Sequence, residues 1–540
     1  MKAINSVFLM ISAALCILSF LGKKRRPKPF KGNAFWVYFA FAVVLALAVR
    51  LVQFGSVPAG VNQDGAMAAV DAKALAEYGT DRLGMTRPVH FTAWGFGQMS
   101  VLMSYMMVPF IKAFGLSVVT MRLPALLCSL MGLVFLFLFC RDVFNRELAL
   151  VVLLLAAVNP WHMVQSRWAL DCNIFPHMLI AGLYFLNHGV QFPKRRFFLY
   201  ISMVFFALSM YCYGVALYTV PVFLAIACVF LLVSKKIRGK DALICMGIYM
   251  LLSWPFFAAM FINAFGFDTI ELKLFTIPAF PETVRKADIL FFSESFFAQL
   301  WANLLALLRV IFQIGDDYLC NVVPGFSTMY VFSLPFTITG FIWILKNWRR
   351  NPGSMLLLVF FTVAFFSGLI TNSVNVNRIN IIFYPLIVFS GIGVFRVIRD
   401  VKLGDAAVHA MYAAGFTLFC CAYFTSYAKS VSEVFLSDFG EALKSFDPEE
   451  YSCIYVTPDS QAEGRYYVSE ILTLFYHDID AQYYQSEEFE EKYVFKNPGA
   501  SPDDSGENRA YVAKAEDEEL FDEEKFEIDH FGRFITALPK

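Results

Sequence analysis

The segment Asn62-Gln63-Asp64-Gly65 sets a single carboxylate just after an apolar run and just before a stretch with helical spacing. Such a carboxylate has two uses. As a helix N-cap, Asp64 would accept from backbone N–H groups one turn in. As a general base, it would take a proton from a hydroxyl brought to it. Arg167 and Asp171 stand four residues apart behind Asn159-Pro160-Trp161-His162, adjacent if helical. They read as a structural ion pair under a tight turn or as part of a site. Thr371 to Arg378 is a polar turn in which Arg378 opens an apolar run. An Arg at a helix start is poorly placed for the dipole. An anionic partner such as phosphate suits its guanidinium; snorkelling to lipid headgroups is the other reading. Asp316 and Asp317, near Asn321, form either a divalent-cation site or a solvated turn. His90 and His162 come without a His-Glu-x-x-His or a Cys cluster, so zinc is unsupported. No Walker loop, Gly-x-Gly-x-x-Gly after a strand or Gly-x-Ser-x-Gly is present. Nucleotide hydrolysis and nucleotide-sugar binding therefore lack support, whereas a lipid-carried donor needs neither.

The elements that must position these groups are apolar. The chain has 540 residues, 58% hydrophobic and 16% charged, too few charges to cover a water-soluble surface of that size. Runs of about 20 apolar residues recur, the length of a transmembrane helix. Net charge is zero, and nothing favours nucleic-acid binding. Most of the 11 Cys lie inside apolar runs, which is not a disulfide or zinc pattern. The N-terminal apolar stretch precedes its basic cluster, the reverse of a secretory signal.

About 12 spanning helices are expected: 3–22, 34–54, 117–140, 147–163, 173–191, 197–213, 215–233, 241–262, 328–346, 354–371, 378–396 and 407–426. With this list the short basic loops all fall on one face: Lys23 to Lys31, Arg141 and Arg146, Lys194 to Arg196, Lys235 to Lys240, Lys346 to Arg350, and Arg396 to Lys402. That face is cytoplasmic by the positive-inside rule, so both termini lie outside. Counting Phe96 to Gly115 as a span would reverse every later loop. It reads instead as a re-entrant or surface helix in an outer loop, 55–116. A second outer loop covers 263–327. Asp64 leads into Met67, Val70, Ala74 and Tyr78 on one side and Asp71, Lys73 and Glu77 on the other, an amphipathic helix along the membrane surface with Asp71 on its solvated face. Trp161 reads as an interface anchor. Residues 427–540 form a small extracytoplasmic α/β domain, with strands at Ser452 to Val456 and Tyr511 to Lys514 and a helix at Tyr466 to Tyr476. Pro498 to Asn508 is a loop within it, and Glu516 to Glu524 an acidic surface.

These features together resemble the polytopic GT-C glycosyltransferases that use polyprenyl-phosphate sugars, the group of the protein O-mannosyltransferases and the lipid A aminoarabinose transferase. The likeness runs over about 34–200 and more weakly to about 396. It rests on Asp64 soon after a span, Phe114-Gly115 followed by Met121-Arg122-Leu123-Pro124, Asn159-Pro160 and Ser166-Arg167 ahead of Asp171, and Asn377-Arg378 at the start of a late span. The resemblance implies a transmembrane glycosyltransferase domain, 1–426. Asp64 would be its catalytic carboxylate and Asp171 a second acidic group near the acceptor. Arg378 and Arg167 would meet the lipid phosphate. Many relatives have Asp-Glu in the first loop, where Gly65 follows Asp64 here, and Lys-Pro-Pro where Met99-Ser100-Val101 stands. Arg87, with His90 grouped beside it for substrate, is the candidate replacement for that Lys. The implied reaction moves a sugar, with inversion, from a polyprenyl phosphate to a hydroxyl of a protein, lipid or wall polymer at the outer face of the plasma membrane. No cofactor is required, a divalent cation being the one candidate. A lipid or polysaccharide transporter would put charge or broken helices at mid-bilayer; only Pro221 and Pro255 within spans point that way. A non-catalytic scaffold would account for the tail and for the missing Lys-Pro-Pro.

Overall fold

The computed structural model describes residues 2–21, 33–94, 97–280, 296–313, 318–458, 461–462, 466–499 and 508–540. The basic run from Lys23 to Lys31 and the Asp316–Asp317 pair lie outside them.

The chain is a multi-pass membrane protein. Among the described residues, eight helices are long and apolar enough to cross a bilayer: Ala3–Leu21, Ala34–Leu51, Val118–Val143, Ala216–Val233, Gly239–Phe265, Pro352–Leu369, Val376–Asp400 and Gly404–Val434. The other four expected spans are helical too, with different dimensions. The 147–163 run divides into Arg146–Ala157 and Pro160–Gln165. Asn159 leaves helical backbone to cap the second piece, and Pro160 opens it. Asp171–Gln191 has 21 residues but carries buried Asn173, His177, Asn187 and His188, which dilute its hydropathy. Phe197–Ser209 and Leu334–Asn347 have 13 and 14 residues, about 20 Å each against a hydrocarbon core of about 30 Å.

Contacts divide the chain into two compact units. The first comprises Met1–Phe54, Ala125–Phe257 and Val284–Tyr427 and is a helical bundle. Within it Leu334–Asn347 and Phe383–Asp400 meet at backbone distance. A Cβ on Gly340 would lie 1.9 Å from Phe389 O, and one on Gly393 2.1 Å from Phe336 O. Reciprocal small residues of this kind let helices pack where lipid supplies no hydrophobic drive.

The second unit comprises Gly55–Pro124, Ala258–Thr283 and Ala428–Lys540, so parts of the two long segments 55–116 and 263–327 and the tail form one body. The helix Gln63–Glu77 packs on Leu102–Phe114 and on Val468–Tyr476. Leu102–Phe114 follows the short pairing of Phe91–Thr92 with Gln98–Met99 and has 13 residues. Ile270–Glu271 pairs with Thr276–Ile277, and Thr276 O accepts from Val89 N at 3.0 Å. The tail folds around a five-stranded mixed sheet, in the order Phe526–Phe531, Phe534–Pro539, Arg509–Lys514, Cys453–Val456, Tyr493–Val494. Cys453–Val456 is parallel to both of its neighbours, and the other pairs are antiparallel. Tyr511, Ala513, Phe521, Phe526, Ile535 and Ala537 form a core beside it. The α/β character of the tail thus matches the expectation, with the C-terminal hairpin added.

Candidate active site

Asp64 does not cap its helix. Asn62 does, in extended backbone, its side chain accepting from Asp64 N at 2.9 Å. Asp64 is therefore the second residue of Gln63–Glu77, and its carboxylate is released from the backbone. Among the described residues that carboxylate has no hydrogen-bond or ion-pair partner. Its side chain is exposed, yet burial raises its carboxyl pKa above the ordinary carboxylate value. The two observations concern different things. The side chain is exposed, while the protein packed around it still disfavours the charged form. The helix N-terminus favours the charged form; desolvation outweighs it.

The helix carrying Asp64 is not the amphipathic surface helix expected from its spacing. Every residue from Gly65 to Ala76 is buried. Alanines at 66, 68, 69, 72, 74 and 76 leave no bulky polar face and favour helix in themselves. Asp71, expected in solvent, is fully buried. It pairs with Arg82 at 2.6 Å, accepts from Arg82 N at 3.0 Å, and its pKa is pushed up to about 6 by burial, against the pull of Arg82. Arg82 also donates to Thr92 O at 2.8 Å and lies 5.7 Å from the Trp94 ring centre. Arg87 is exposed, with φ at 41°, and its N donates to Gly79 O at 3.2 Å. His90 is buried. Asp64, Arg87 and His90 belong to the second unit.

Asp171, Arg167 and Arg378 belong to the first. Residues 166–170 form a turn rather than helix, so the spacing of Arg167 and Asp171 does not give the helical adjacency considered above. Arg167 is fully buried. Its guanidinium donates to four carbonyls at the end of Ala34–Leu51: Val49 and Arg50 at 3.1 and 2.9 Å, Val52 and Gln53 at 2.8 and 3.0 Å. Those carbonyls would otherwise be orphaned at the helix end. This is a clamp on a helix terminus rather than an open phosphate site. Asp171 is half-buried and opens Asp171–Gln191, accepting from Cys172 N at 2.7 Å. Arg378 is half-exposed. Asn375 caps the short helix Val376–Ile379 through Arg378 N at 3.0 Å, and Arg378 Nη1 reaches Ser373 Oγ at 3.0 Å and Thr371 Oγ1 at 3.4 Å.

One buried network escaped the sequence reading. Arg50 Nη2 donates to His162 Nδ1 at 2.8 Å; His162 Nε2 lies 3.1 Å from Tyr384 Oη, and Tyr384 Oη 2.7 Å from His177 Nδ1. Because Arg50 only donates, His162 must carry its proton on Nε2, and the Tyr384 hydroxyl is then free to donate to His177. Trp161 is fully buried, stacked on Phe383 at 4.6 Å, and is no interface anchor. The available signals were Arg50 at the end of an apolar run and the His residues flanking Asp171. Among the described residues no group of three or more His, Cys, Asp or Glu could hold a metal ion.

The family model described as dolichyl-phosphate-mannose-protein mannosyltransferase matches residues 99–262. No curated protein matches the chain by sequence. Among solved structures, ArnT from Cupriavidus metallidurans in the apo state is similar at a TM-score of 0.51 and 13% identity, over 93% of this chain and 98% of that one. The same protein bound to undecaprenyl phosphate is similar at 0.52 and 12%, over 94% and 98%. At such identity the likeness is one of fold, and the chain has the GT-C membrane fold.

Proposed function

We propose that this GT-C-fold protein is a membrane glycosyltransferase that moves a sugar from a polyprenyl-phosphate donor to an acceptor hydroxyl, with inversion. The observation that carries the reading is the state of Asp64. It is a carboxylate on a rigid, buried helix, excused from capping by Asn62, open to solvent and raised in pKa. Those are the properties of a general base. The mannosyltransferase family match and the fold likeness to a protein seen with undecaprenyl phosphate support a lipid-linked donor.

In the proposed reaction the acceptor oxygen attacks the anomeric carbon as the bond to the phosphate oxygen breaks, and the lipid phosphate leaves with the electron pair. Asp64 takes the acceptor proton. Arg378, half-exposed on a helix start, neutralises the charge gathering on the phosphate. Asp171 holds the acceptor, and Arg87 with His90 lines the donor side. Arg167 is spent on backbone carbonyls and is left out. The acceptor hydroxyl belongs to a protein, lipid or wall polymer, and both termini face the outside of the cell.

The test is transfer from a labelled polyprenyl-phosphate sugar by the purified full-length chain. Asp64→Asn lowers turnover by about 10²–10⁴-fold at unchanged elution on size exclusion. Full activity in that variant removes Asp64 from the chemistry. Labelling of single-cysteine variants in the tail by an impermeant reagent in whole cells tests the sidedness.

A further inference from the structure

The lead into the Asp64 helix is held at more points than helix formation requires. Arg122 of the Arg-Leu-Pro motif is fully buried. It donates through Nη1 to Pro58 O at 2.9 Å and Gly55 O at 3.5 Å, and through Nη2 to Gly60 O at 2.9 Å. From the tail, Phe435 O accepts from Val61 N at 3.2 Å. Gly60 has φ +78°, and a Cβ on it would fall 2.3 Å from that same Phe435 oxygen. Only glycine satisfies both the dihedral and the approach.

The far end of the helix is held by the tail again. Lys73 is buried; its Nζ donates to Asp478 O and Ile479 O and pairs with the Asp478 carboxylate at 2.7 Å. Tyr78 Oη donates to Asp480 Oδ2 at 2.5 Å. Asp480 is itself fixed, since its Oδ1 caps Ala481–Tyr484. Beyond the helix, Gln485 Nε2 donates to Arg82 O at 3.1 Å and Trp94 Nε1 to Tyr467 O at 3.1 Å.

We infer that the tail is a positioning element for Asp64, acting with Arg122 and Gly60 at the near end of its helix and through Lys73 at the far end. The inference rests on the reading of Asp64 as the reacting base. A base must stand within about 2.6–3.2 Å of the proton it takes, and a misplacement of about 1 Å costs about 100-fold. Lys73 lies nine residues past Asp64, about 13.5 Å along the axis. Loosening it lets the helix shift and turn on its axis, which carries the carboxylate off its line. None of these residues need touch substrate, so their loss acts on turnover and not on donor binding.

The experiment uses the full-length chain in nanodiscs, with two readouts: hydrogen–deuterium exchange over residues 62–78, and sugar transfer. In Lys73→Met and Gly60→Ala, exchange over 62–78 rises about tenfold. In the same variants kcat falls about 10–100-fold with donor KM unchanged, while exchange in Phe383–Asp400 stays as in the parent. Lys73→Arg, which keeps the cation, recovers most of both readouts. Tyr78→Phe, a milder change, raises exchange at the end of the helix alone. Unchanged exchange over 62–78 in both stronger variants overturns the inference, and so does a raised KM with kcat preserved. If the parent transfers no sugar while exchange responds as stated, the holding contacts stand and the sugar-transfer reading alone falls.

Discussion

As the proposed base, Asp64 acts only when ionised, and burial raises its pKa. Activity is therefore lost as pH falls through a value above the ordinary Asp pKa of about 3.9. A kcat/KM profile taken over about pH 4 to 8 shows this acid limb; the residual activity of Asp64→Asn lacks it, and a parent profile flat to pH 4 contradicts the assignment. The two arginines separate by the same kind of reasoning. Arg167 satisfies the buried carbonyls of Val49 and Arg50 and the part-buried ones of Val52 and Gln53, so Arg167→Met strands them and costs about 1–3 kcal/mol for each buried one, read as lost yield and a lower Tm. Arg378 is half-exposed and bonded to its own turn. Arg378→Met leaves Tm nearly unchanged and lowers turnover by about 10²–10³-fold, the scale of a lost transition-state donor. Reversed outcomes would exchange the roles of the two residues.

Between residue and fold stands the helix Gln63–Glu77, which buries a carboxylate whose pKa is raised to about 6. A raised carboxyl pKa means that the native state binds protons more tightly than the unfolded one. Stability is then greatest below the unfolded pKa of about 3.9 and is lost as pH rises through the folded value of about 6. Thermal unfolding followed across that window shows a Tm falling with pH, and Asp71→Asn flattens the slope. A slope kept in Asp71→Asn assigns it to another group. This helix also marks the limit of what could be read along the chain. Its existence and its start at Asn62–Asp64 were legible. Its burial was not, because small alanines give no contrast between faces, because the Asp71–Arg82 pair forms beyond the end of the helix, and because Lys73 finds Asp478 far outside any local window. The break at Asn159-Pro160 was written in two residues but hidden by the apolar run around them.

At the scale of the molecule, the membrane bundle was the most legible part. Spans of this length announce themselves through hydropathy, and the expected spans fall on helical backbone, with 147–163 divided in two. The order of contacts was the least legible, since residues 55–124 and the tail share a unit while standing far apart in the sequence. That sharing has a consequence for the newly made chain. The helix bearing Asp64 is complete by residue 77, but Val468–Tyr476, which covers it, comes nearly four hundred residues later. At ribosomal speed it waits on the order of 20–80 s for its cover. Until then Lys73 lacks its partners at Asp478 and Ile479, and a nascent chain stalled before residue 468 carries an uncovered Gln63–Glu77 helix that quality-control proteases can still reach.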